Sequence, residues 1–189
     1  MHNSVLDNDM KTILVTEEEI DRIVTRIAAE IDRDYAHMEG KLLLLGILKG
    51  SVVFMGDLMK KINTPVEIDF MKVSSYGNAT HTSGRLSIKL DIDRHDLSES
   101  NIIIVEDIVD SGRTLSYLTE HLKRNGARSV RVATMLDKQC RDPEFKDFKA
   151  DYTGAVIPNE FVVGYGLDYA EKYRALPYVG ILKPEVYTK

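Results

Sequence analysis

A short run of β-branched residues followed at once by acids allows few architectures for this chain. Residues 102–105 read Ile-Ile-Ile-Val, and Glu106 and Asp107 come directly after them. A run with no polar face is typical of a central strand in a parallel sheet, because helices cover such a sheet on both faces. The pattern predicts an α/β protein in which the central strand ends at a pair of carboxylates.

A small polar turn follows the acids. Asp110-Ser111-Gly112-Arg113-Thr114 leads into a stretch with leucines at positions 115, 118 and 122, a helical spacing. A strand, a polar turn and a helix start present free backbone N–H groups to an anion. Two carboxylates beside a phosphate would repel it unless Mg²⁺ or sugar hydroxyls lie between them. The turn therefore predicts a site for a phosphorylated sugar bound with a metal ion.

Other segments extend the α/β pattern. Thr16 and Glu19 form a capping box before an amphipathic helix that is expected to end near Gly40. The apolar residues 41–47 predict a strand that runs into Lys49-Gly50 and then a helix over 52–62, which repeats the arrangement of an anion site. Further strands are predicted at 66–73, 85–90 and 130–136, and a helix at 114–124 that stops at Asn125-Gly126.

Composition and charge narrow the possible partners. The 189 residues suffice for one domain and are few for two. With a net charge of −5 and no Lys/Arg-rich cluster, the chain is not expected to bind nucleic acid or a membrane. The single cysteine, Cys140, fits a reducing compartment. The start lacks a secretory signal and no apolar run could span a bilayer, so a cytoplasmic location is expected.

Four motifs carry a resemblance to a known family. Residues 104–114, Ile-Val-Glu-Asp-Ile-Val-Asp-Ser-Gly-Arg-Thr, resemble the phosphoribosyl-pyrophosphate (PRPP) motif of the type I phosphoribosyltransferases. Leu-Lys-Gly-Ser at 48–51 resembles the pyrophosphate loop of the purine enzymes, in which the peptide before the lysine can be cis. Leu-Asp-Lys at 136–138 matches the lysine that recognises the purine. Phe-Val-Val-Gly-Tyr-Gly-Leu-Asp-Tyr at 161–169, followed by Tyr173-Arg174, resembles the hood signature of the hypoxanthine-guanine enzymes.

The resemblance, which runs from about residue 42 to 178, implies both a fold and a reaction. The fold is the type I phosphoribosyltransferase fold, a mainly parallel twisted sheet flanked by helices, with a small hood. A single domain would span 1–189, with its core at roughly 40–145 and its hood mainly at 146–189 with an N-terminal contribution. The reaction transfers the 5-phosphoribosyl group from PRPP to hypoxanthine or guanine and releases pyrophosphate. A homodimer or homotetramer is implied as well.

Matching positions suggest roles at the PRPP site. Glu106 and Asp107 would face the ribose hydroxyls, directly or through Mg²⁺. Asp110 would be the general base toward a purine ring nitrogen, or would only form a hydrogen bond to it. The 5′-phosphate would lie on the turn that contains Asp110, Ser111, Gly112, Arg113 and Thr114.

The resemblance also assigns the remaining ligand contacts. Lys49, Gly50 and Arg174 would receive pyrophosphate. Lys138 donates hydrogen bonds only, so it suits the O6 acceptor of a 6-oxopurine and disfavours the amino group of adenine. Phe161 would stack on the base, Val162 and Asp168 would lie at its pyrimidine edge, and Asp168 would also belong to the Mg²⁺ shell.

Some alternatives stay open. The polar residues 74–84 are either a long hairpin loop or a lid over the substrate, in which Ser75 and Tyr76 would be the matching pair. A transcriptional regulator that senses PRPP would need an added DNA-binding domain or a basic surface. A preference for adenine or xanthine is disfavoured by Lys138 and the 161–169 segment. Ser51 stands where many relatives have glycine.

Overall fold

The structure, a computed structural model, describes residues 5–75 and 86–188. The strands in these ranges are β1 (Met10–Val15), β2 (Lys41–Ile47), β3 (Val66–Ser75), β4 (Leu86–Leu90), β5 (Ser100–Val109), β6 (Ser129–Asp137), β7 (Tyr152–Val156), β8 (Val162–Val163) and β9 (Val179–Leu182). The α-helices are α1 (Glu17–Tyr35), α2 (Val52–Lys61), α3 (Arg113–Arg124) and α4 (Pro184–Tyr187). Short 3₁₀ helices occupy Val5–Asp9, Leu97–Glu99 and Pro143–Phe145.

A six-stranded sheet forms the main body, in the order β4-β3-β2-β5-β6-β7. In this spatial order β3, β2, β5, β6 and β7 are all parallel to their neighbours, and only the edge strand β4 is antiparallel, to β3. The strand β5 lies between β2 and β6, so the apolar run of residues 102–105 is central as predicted. The carboxyl ends of β2, β5 and β6 therefore lie along one edge, where open α/β sheets bind their ligands.

The central strand is buried on both faces because its side chains alternate between two helical layers. Ile103 and Val105 belong to one core cluster with residues of α1 and α2. Ile102 and Ile104 belong to a second cluster with the leucines of α3. All four side chains are fully buried. The predicted mainly parallel sheet with helices on both faces is confirmed.

The central strand extends farther than the sequence pattern indicated. We expected it to end before Glu106, but β5 continues to Val109. Its pairing with β2 reaches only Gly46 opposite Val105, whereas its pairing with β6 continues to Val109 opposite Asp137. Beyond Val105, β5 is therefore paired only with β6. Glu106 and Asp107 lie where β5 no longer pairs with β2.

The first helix begins as predicted and ends earlier. Thr16 Oγ1 accepts a hydrogen bond from the Glu19 amide at 3.2 Å, and Glu19 Oε2 accepts one from the Thr16 amide at 2.8 Å, which completes the capping box. The last helical residue is Tyr35, not one near Gly40. Gly40 instead takes a positive φ of 91°, a conformation that glycine adopts without steric cost, just before β2.

A small antiparallel sheet, β1-β9-β8, joins an N-terminal strand to two strands near the C-terminus. Its own core contains Met10, Val163, Tyr173, Leu176 and Tyr178. The strand β7 lies within residues 146–189 but pairs with β6 in the large sheet, and the division into core and hood stays a prediction. In the described ranges no helix is long and apolar enough to cross a membrane.

Candidate functional site

The loop after β2 is built around a turn at the start of α2. The peptide bond between Leu48 and Lys49 is cis, as the resemblance suggested. The Leu48 amide donates to the carbonyl of Met71 at 2.8 Å. Ser51 is fully buried, and its hydroxyl donates to the Ile47 carbonyl at 2.7 Å. Serine at this position therefore satisfies a backbone carbonyl of β2.

Three segments meet at Gly50. A Cβ built on Gly50 would lie 1.6 Å from Oδ2 of Asp107, so the carboxylate occupies the space that a side chain would need. A Cβ built on Gly166 would lie 2.0 Å from the Gly50 carbonyl oxygen, and Gly166 has a positive φ of 101°. The β2 loop, the acids of β5 and the loop after β8 thus contact one another, and glycine is required at both close approaches.

The two acids of β5 are half-buried, and one of their carboxylate oxygens has no partner among the described residues. Glu106 Oε2 is inaccessible and has no hydrogen-bond partner among the described residues. Burial, with the nearby charge of Asp107, raises the pKa of Glu106 well above its ordinary value. Burial also raises the pKa of Asp107 to about 6, although the Ile108 amide donates to Oδ1 at 2.7 Å and Arg174 opposes the shift. Two adjacent carboxylates with raised pKa values, one of them with an unpartnered oxygen, are typical of a functional site.

Two cations lie beside the acids and are paired. Lys49 Nζ lies 2.9 Å from Glu171 Oε1, and their side chains are 52% and 67% exposed. Arg174 Nη2 lies 2.7 Å from Asp168 Oδ1 and 3.4 Å from Glu171 Oε2, while Nη1 donates to the Gly166 carbonyl at 2.8 Å. The structure brings Lys49, Gly50 and Arg174 together, as the predicted pyrophosphate site requires.

The polar turn after β5 leads directly into α3. Gly112 has a positive φ of 83°, and its carbonyl accepts the Ser116 amide at 3.0 Å. The helix begins at Arg113, one residue before the predicted start. Asp110 is exposed, whereas Ser111 and Thr114 are half-buried. The turn therefore presents backbone N–H groups at the start of a three-turn helix.

The side chain of Arg113 has its own protein partners. Its Nη2 lies 3.0 Å from Asp142 Oδ2, and the guanidinium lies 5.6 Å from the centre of the Phe145 ring. The backbone amide of Arg113 lies 3.4 Å from Ser111 Oγ. The Arg113 guanidinium is thus held by protein partners, while its backbone amide lies in the polar turn.

The predicted purine-binding residues come from two segments. Lys138 follows β6, and its amide donates to the Val109 carbonyl at 3.1 Å, which places it beside the end of β5. Val162 is buried in β8. Asp168 is paired with Arg174, and its Oδ2 accepts the Glu171 amide at 2.9 Å. These bonds leave Asp168 less available to a ligand than the sequence suggested.

Phe161 precedes β8 and is 39% exposed. Its ring stacks on Tyr187 with centroids 5.0 Å apart and lies edge-on to Tyr169 at 5.7 Å. The aromatic group predicted to stack on a purine therefore belongs to a three-ring cluster with the C-terminal helix. Sequence reasoning missed Tyr187, because nothing near α4 resembled a motif.

Most of the predicted lid lies outside the described residues. Ser75 is the last residue of β3. Tyr76 and the rest of the predicted lid through residue 84 lie outside the described residues. In the parts of the chain that are described, no group of three or more His, Cys, Asp or Glu side chains is arranged to hold a metal ion.

Comparison with known proteins gives relatives that match nearly the whole of this chain. The chain is 48% identical over 186 residues to hypoxanthine-guanine phosphoribosyltransferase of Streptococcus pneumoniae, with 97% of this chain and 99% of the relative covered. It is 47% identical over 189 residues to the bifunctional protein TilS/HprT of Listeria monocytogenes, and spans 28% of that protein's length and 99% of its own. It matches the crystal structure of a hypoxanthine phosphoribosyltransferase from Staphylococcus aureus with a TM-score of 0.89 and 46% identity over 100% of both chains.

The family comparison agrees with these relatives. The phosphoribosyl transferase domain family matches residues 12–170, which include the β2 loop, both acids, the polar turn and the loop after β8. The resemblance read from the four motifs is confirmed. On this evidence, the chain belongs to the phosphoribosyltransferase family.

Proposed function

We propose that this chain transfers the 5-phosphoribosyl group of PRPP to hypoxanthine or guanine, giving IMP or GMP and pyrophosphate, as in purine salvage. The observation that carries the proposal is the meeting of Gly50, Asp107 and Gly166. It joins a loop with a lysine, two adjacent acids with raised pKa values and the segment that resembles the purine hood. The names of the relatives from Streptococcus pneumoniae and Staphylococcus aureus support the same reaction.

Transfer from PRPP separates charge at the anomeric carbon. As pyrophosphate departs, the ribose gains positive character and the leaving group gains negative charge. Glu106 and Asp107 would lie at the ribose, where their carboxylates stabilise positive charge and accept hydrogen bonds from the sugar hydroxyls. Their raised pKa values show that burial disfavours ionisation in the free protein. A ligand that supplies hydroxyls or positive charge would relieve this cost.

The 5′-phosphate and the pyrophosphate of the substrate would bind at opposite sides of these acids. The 5′-phosphate would accept hydrogen bonds from backbone N–H groups of residues 110–114 and from the hydroxyls of Ser111 and Thr114. The pyrophosphate would lie against Lys49, the Gly50 amide and Arg174. Arg174 Nε is buried without a partner among the described residues, so it has a donor to offer.

The acids fit a Mg²⁺ ion that is held mainly by its substrate. Mg²⁺ prefers carboxylate oxygens and often binds to one or two of them together with substrate phosphates. Glu106 Oε2 is such an oxygen, buried and unpartnered. We propose Glu106 and Asp107 as its protein contacts, with Asp168 nearby, and the bound ion would neutralise part of the pyrophosphate charge. A site completed by the substrate needs no cluster of three protein ligands.

The purine would be held between the loop after β6 and the hood. Lys138 would donate to O6 of hypoxanthine or guanine, whereas the adenine amino group is itself a donor and would be rejected. Phe161 would stack on the ring, and backbone groups of Val162 and near Asp168 would read its other edge. A turnover assay with PRPP, Mg²⁺ and each of hypoxanthine, guanine, xanthine and adenine tests this. Turnover of adenine alone, or of no base, would refute the proposal.

Asp110 is the proposed general base. It is exposed at the start of the polar turn, where it is free to approach a purine ring nitrogen. Asp110→Asn should lower kcat by about 10²–10⁴-fold, the usual contribution of general acid–base catalysis. The affinity for PRPP, measured by calorimetry, should change little. A variant as active as the parent would leave Asp110 with no role as a base.

We further propose that the chain acts in the cytoplasm as a homodimer or homotetramer. The sequence features behind the location are the lone Cys140 and the ordinary acidic composition. The oligomer follows from the family resemblance alone. Light scattering at several protein concentrations would give the mass, and a monomer throughout the range would contradict the oligomer.

A further inference from the structure

Two turns at the carboxyl edge of the large sheet are hydrogen-bonded to each other along their length. One is the polar turn of residues 110–114, together with Val109, the last residue of β5. The other, the base loop, comprises residues 137–142 and contains Lys138. The Lys138 amide donates to the Val109 carbonyl at 3.1 Å, and the Asp142 amide donates to the Ser111 carbonyl at 3.1 Å. Between these two bonds, the Asp110 carbonyl accepts from Nη1 of Arg141 at 2.9 Å.

Each of the three nitrogens of the Arg141 guanidinium has a hydrogen-bond acceptor within this contact. Its Nη2 donates to both carboxylate oxygens of Asp137, at 2.8 and 2.7 Å, and its Nε donates to the Phe148 carbonyl at 3.1 Å. The side chains of Arg141 and Asp137 are each only 10% exposed. A buried pair of this kind fixes geometry, because the planar guanidinium forms its bonds in a rigid fork.

The shape of the polar turn also depends on this arginine. A Cβ built on Gly112 would lie 3.2 Å from Cδ of Arg141 and 3.3 Å from Cβ of Phe148, so the turn packs closely on the stem of Arg141. On the other side, Asp137 Oδ1 accepts the Gln139 amide at 2.7 Å and fixes the residue next to Lys138. Arg141 and its partner Asp137 together thus hold the backbone on both sides of the contact.

We propose that Arg141 is a positioning residue that fixes the distance between the polar turn and Lys138, and so between the 5′-phosphate and the purine. The inference rests on the proposed function, which assigns those two ligand groups to the two turns. Arg141 itself contacts no ligand in this scheme. Without Arg141, the polar turn could still bind a phosphate and the base loop could still bind a purine. The two turns would no longer be correctly spaced to bind both groups of one nucleotide.

The test compares one ligand that bridges the two turns with ligands that touch only one. IMP contains both the 5′-phosphate and the base, whereas ribose 5-phosphate and hypoxanthine each contain one. Affinities of the parent and of Arg141→Lys are measured by calorimetry or ligand-observed NMR. Lysine can keep the charge pair with Asp137 but cannot also reach the Asp110 and Phe148 carbonyls.

We expect Arg141→Lys to lower the affinity for IMP about tenfold or more, because a small displacement of one turn relative to the other loses the benefit of binding both groups at once. Ribose 5-phosphate and hypoxanthine should each weaken less than about threefold. If the loss for IMP equals the product of the losses for the two fragments, or if IMP affinity is unchanged, the positioning role is wrong. Failure of the parent to bind IMP would instead refute the proposed function.

A matched control lies on β6, the strand that precedes the base loop. Arg131 Nη1 lies 2.7 Å from Asp34 and also donates to the Tyr152 hydroxyl, toward the opposite end of β6 from Arg141. Arg131→Lys should lower the melting temperature and leave all three affinities unchanged. If Arg141→Lys does not fold, Asp137→Asn provides the second test. This variant removes the charge pair with Arg141. Its affinity for IMP should fall by a larger factor than the product of the factors for ribose 5-phosphate and hypoxanthine. If the two factors were equal, the proposal would be overturned.

Discussion

The two ends of the proposed PRPP site would hold their anions in different ways. At the 5′-phosphate end, the polar turn offers backbone N–H groups, and the nearby guanidinium groups of Arg113 and Arg141 are bonded to protein partners. At the pyrophosphate end, Lys49 and Arg174 offer their charges, and each is paired with an acid of the loop at 168–174. One end is largely neutral and fixed, and the other is charged and exchangeable.

The difference matches what each anion has to do in the proposed reaction. The 5′-phosphate stays attached to the sugar from substrate to product, so fixed donors can hold it without moving. Pyrophosphate must bind and then leave. Exposed ion pairs contribute only about 0–1 kcal/mol, so Lys49 can exchange Glu171 for a phosphate oxygen and back at little cost. The comparison makes three predictions, each directed at one part of this arrangement.

The largest effect is expected from Gly50→Ala. A Cβ at this position would lie 1.6 Å from Asp107 Oδ2, so either the carboxylate or the β2 loop must move. Because that contact joins the pyrophosphate end to the acids, we expect kcat/KM for PRPP to fall by about 100-fold or more, as a 1 Å misplacement can cost. Steady-state kinetics at saturating hypoxanthine measures it.

Gly56→Ala is the matched control. Gly56 lies inside α2, and a Cβ built there has no atom within 4 Å. Alanine should stabilise the helix by about 0.5–1 kcal/mol and leave kcat/KM unchanged. If Gly50→Ala were as active as the parent, the close contact between the β2 loop and Asp107 would have no place in the mechanism.

A smaller effect, on stability, is expected from Asp107→Asn. Burial raises the pKa of Asp107 in the folded protein to about 6, against about 3.9 for an unfolded aspartate. The folded state therefore binds the proton more tightly, and stability falls as the pH rises from about 4 to about 6. The asparagine variant avoids this loss. It should melt at a higher temperature than the ligand-free parent at pH 7.5, with the difference vanishing below pH 4, and should have reduced activity.

Asp32→Asn is expected to change the melting temperature at pH 7.5 in the opposite direction. Although burial opposes it, hydrogen bonds from Asn63 and Thr64 hold the pKa of Asp32 below its ordinary value. Its stabilising effect is present above the unfolded pKa and is lost as the pH falls, so the asparagine variant should melt lower than the parent at pH 7.5. A lower melting temperature for Asp107→Asn at that pH would contradict the idea that the middle of the site is strained by unsatisfied charge.

The sequence predicted much of this arrangement because its signals are local. The β-branched run of residues 102–105 indicated the central strand, and the capping box of Thr16 and Glu19 indicated the start of α1. The predicted end of β5 was four residues too early. The pairing of Val109 with Asp137 is set by a strand that is distant in the sequence, and no local pattern reports it.

The partners of the charged groups were also beyond local reasoning. Lys49 was recognised from its loop, but its partner Glu171 is 122 residues away. Arg141 attracted no attention because a lone arginine after a strand is an ordinary surface residue. Only the fold shows that its guanidinium is buried against Asp137 and the Asp110 carbonyl. A spacing of three residues links Asp168, Glu171 and Arg174 in the sequence, and that pattern could have indicated the acidic partners of Arg174.

The smallest predicted effect tests the exchangeable end directly. Glu171→Gln removes a carboxylate that competes with pyrophosphate for Lys49 and Arg174. We expect the KM for PRPP to fall about two- to fivefold, in line with the energy of exposed ion pairs, and inhibition by pyrophosphate to strengthen by a similar factor. Glu144→Gln is the control at the fixed end. Glu144 lies 3.8 Å from Arg113 and is 71% exposed, much like Glu171. Because the Arg113 guanidinium keeps its closer partner Asp142, this variant should leave the KM for PRPP unchanged. Equal changes in both variants would mean that the two ends hold their anions in the same way.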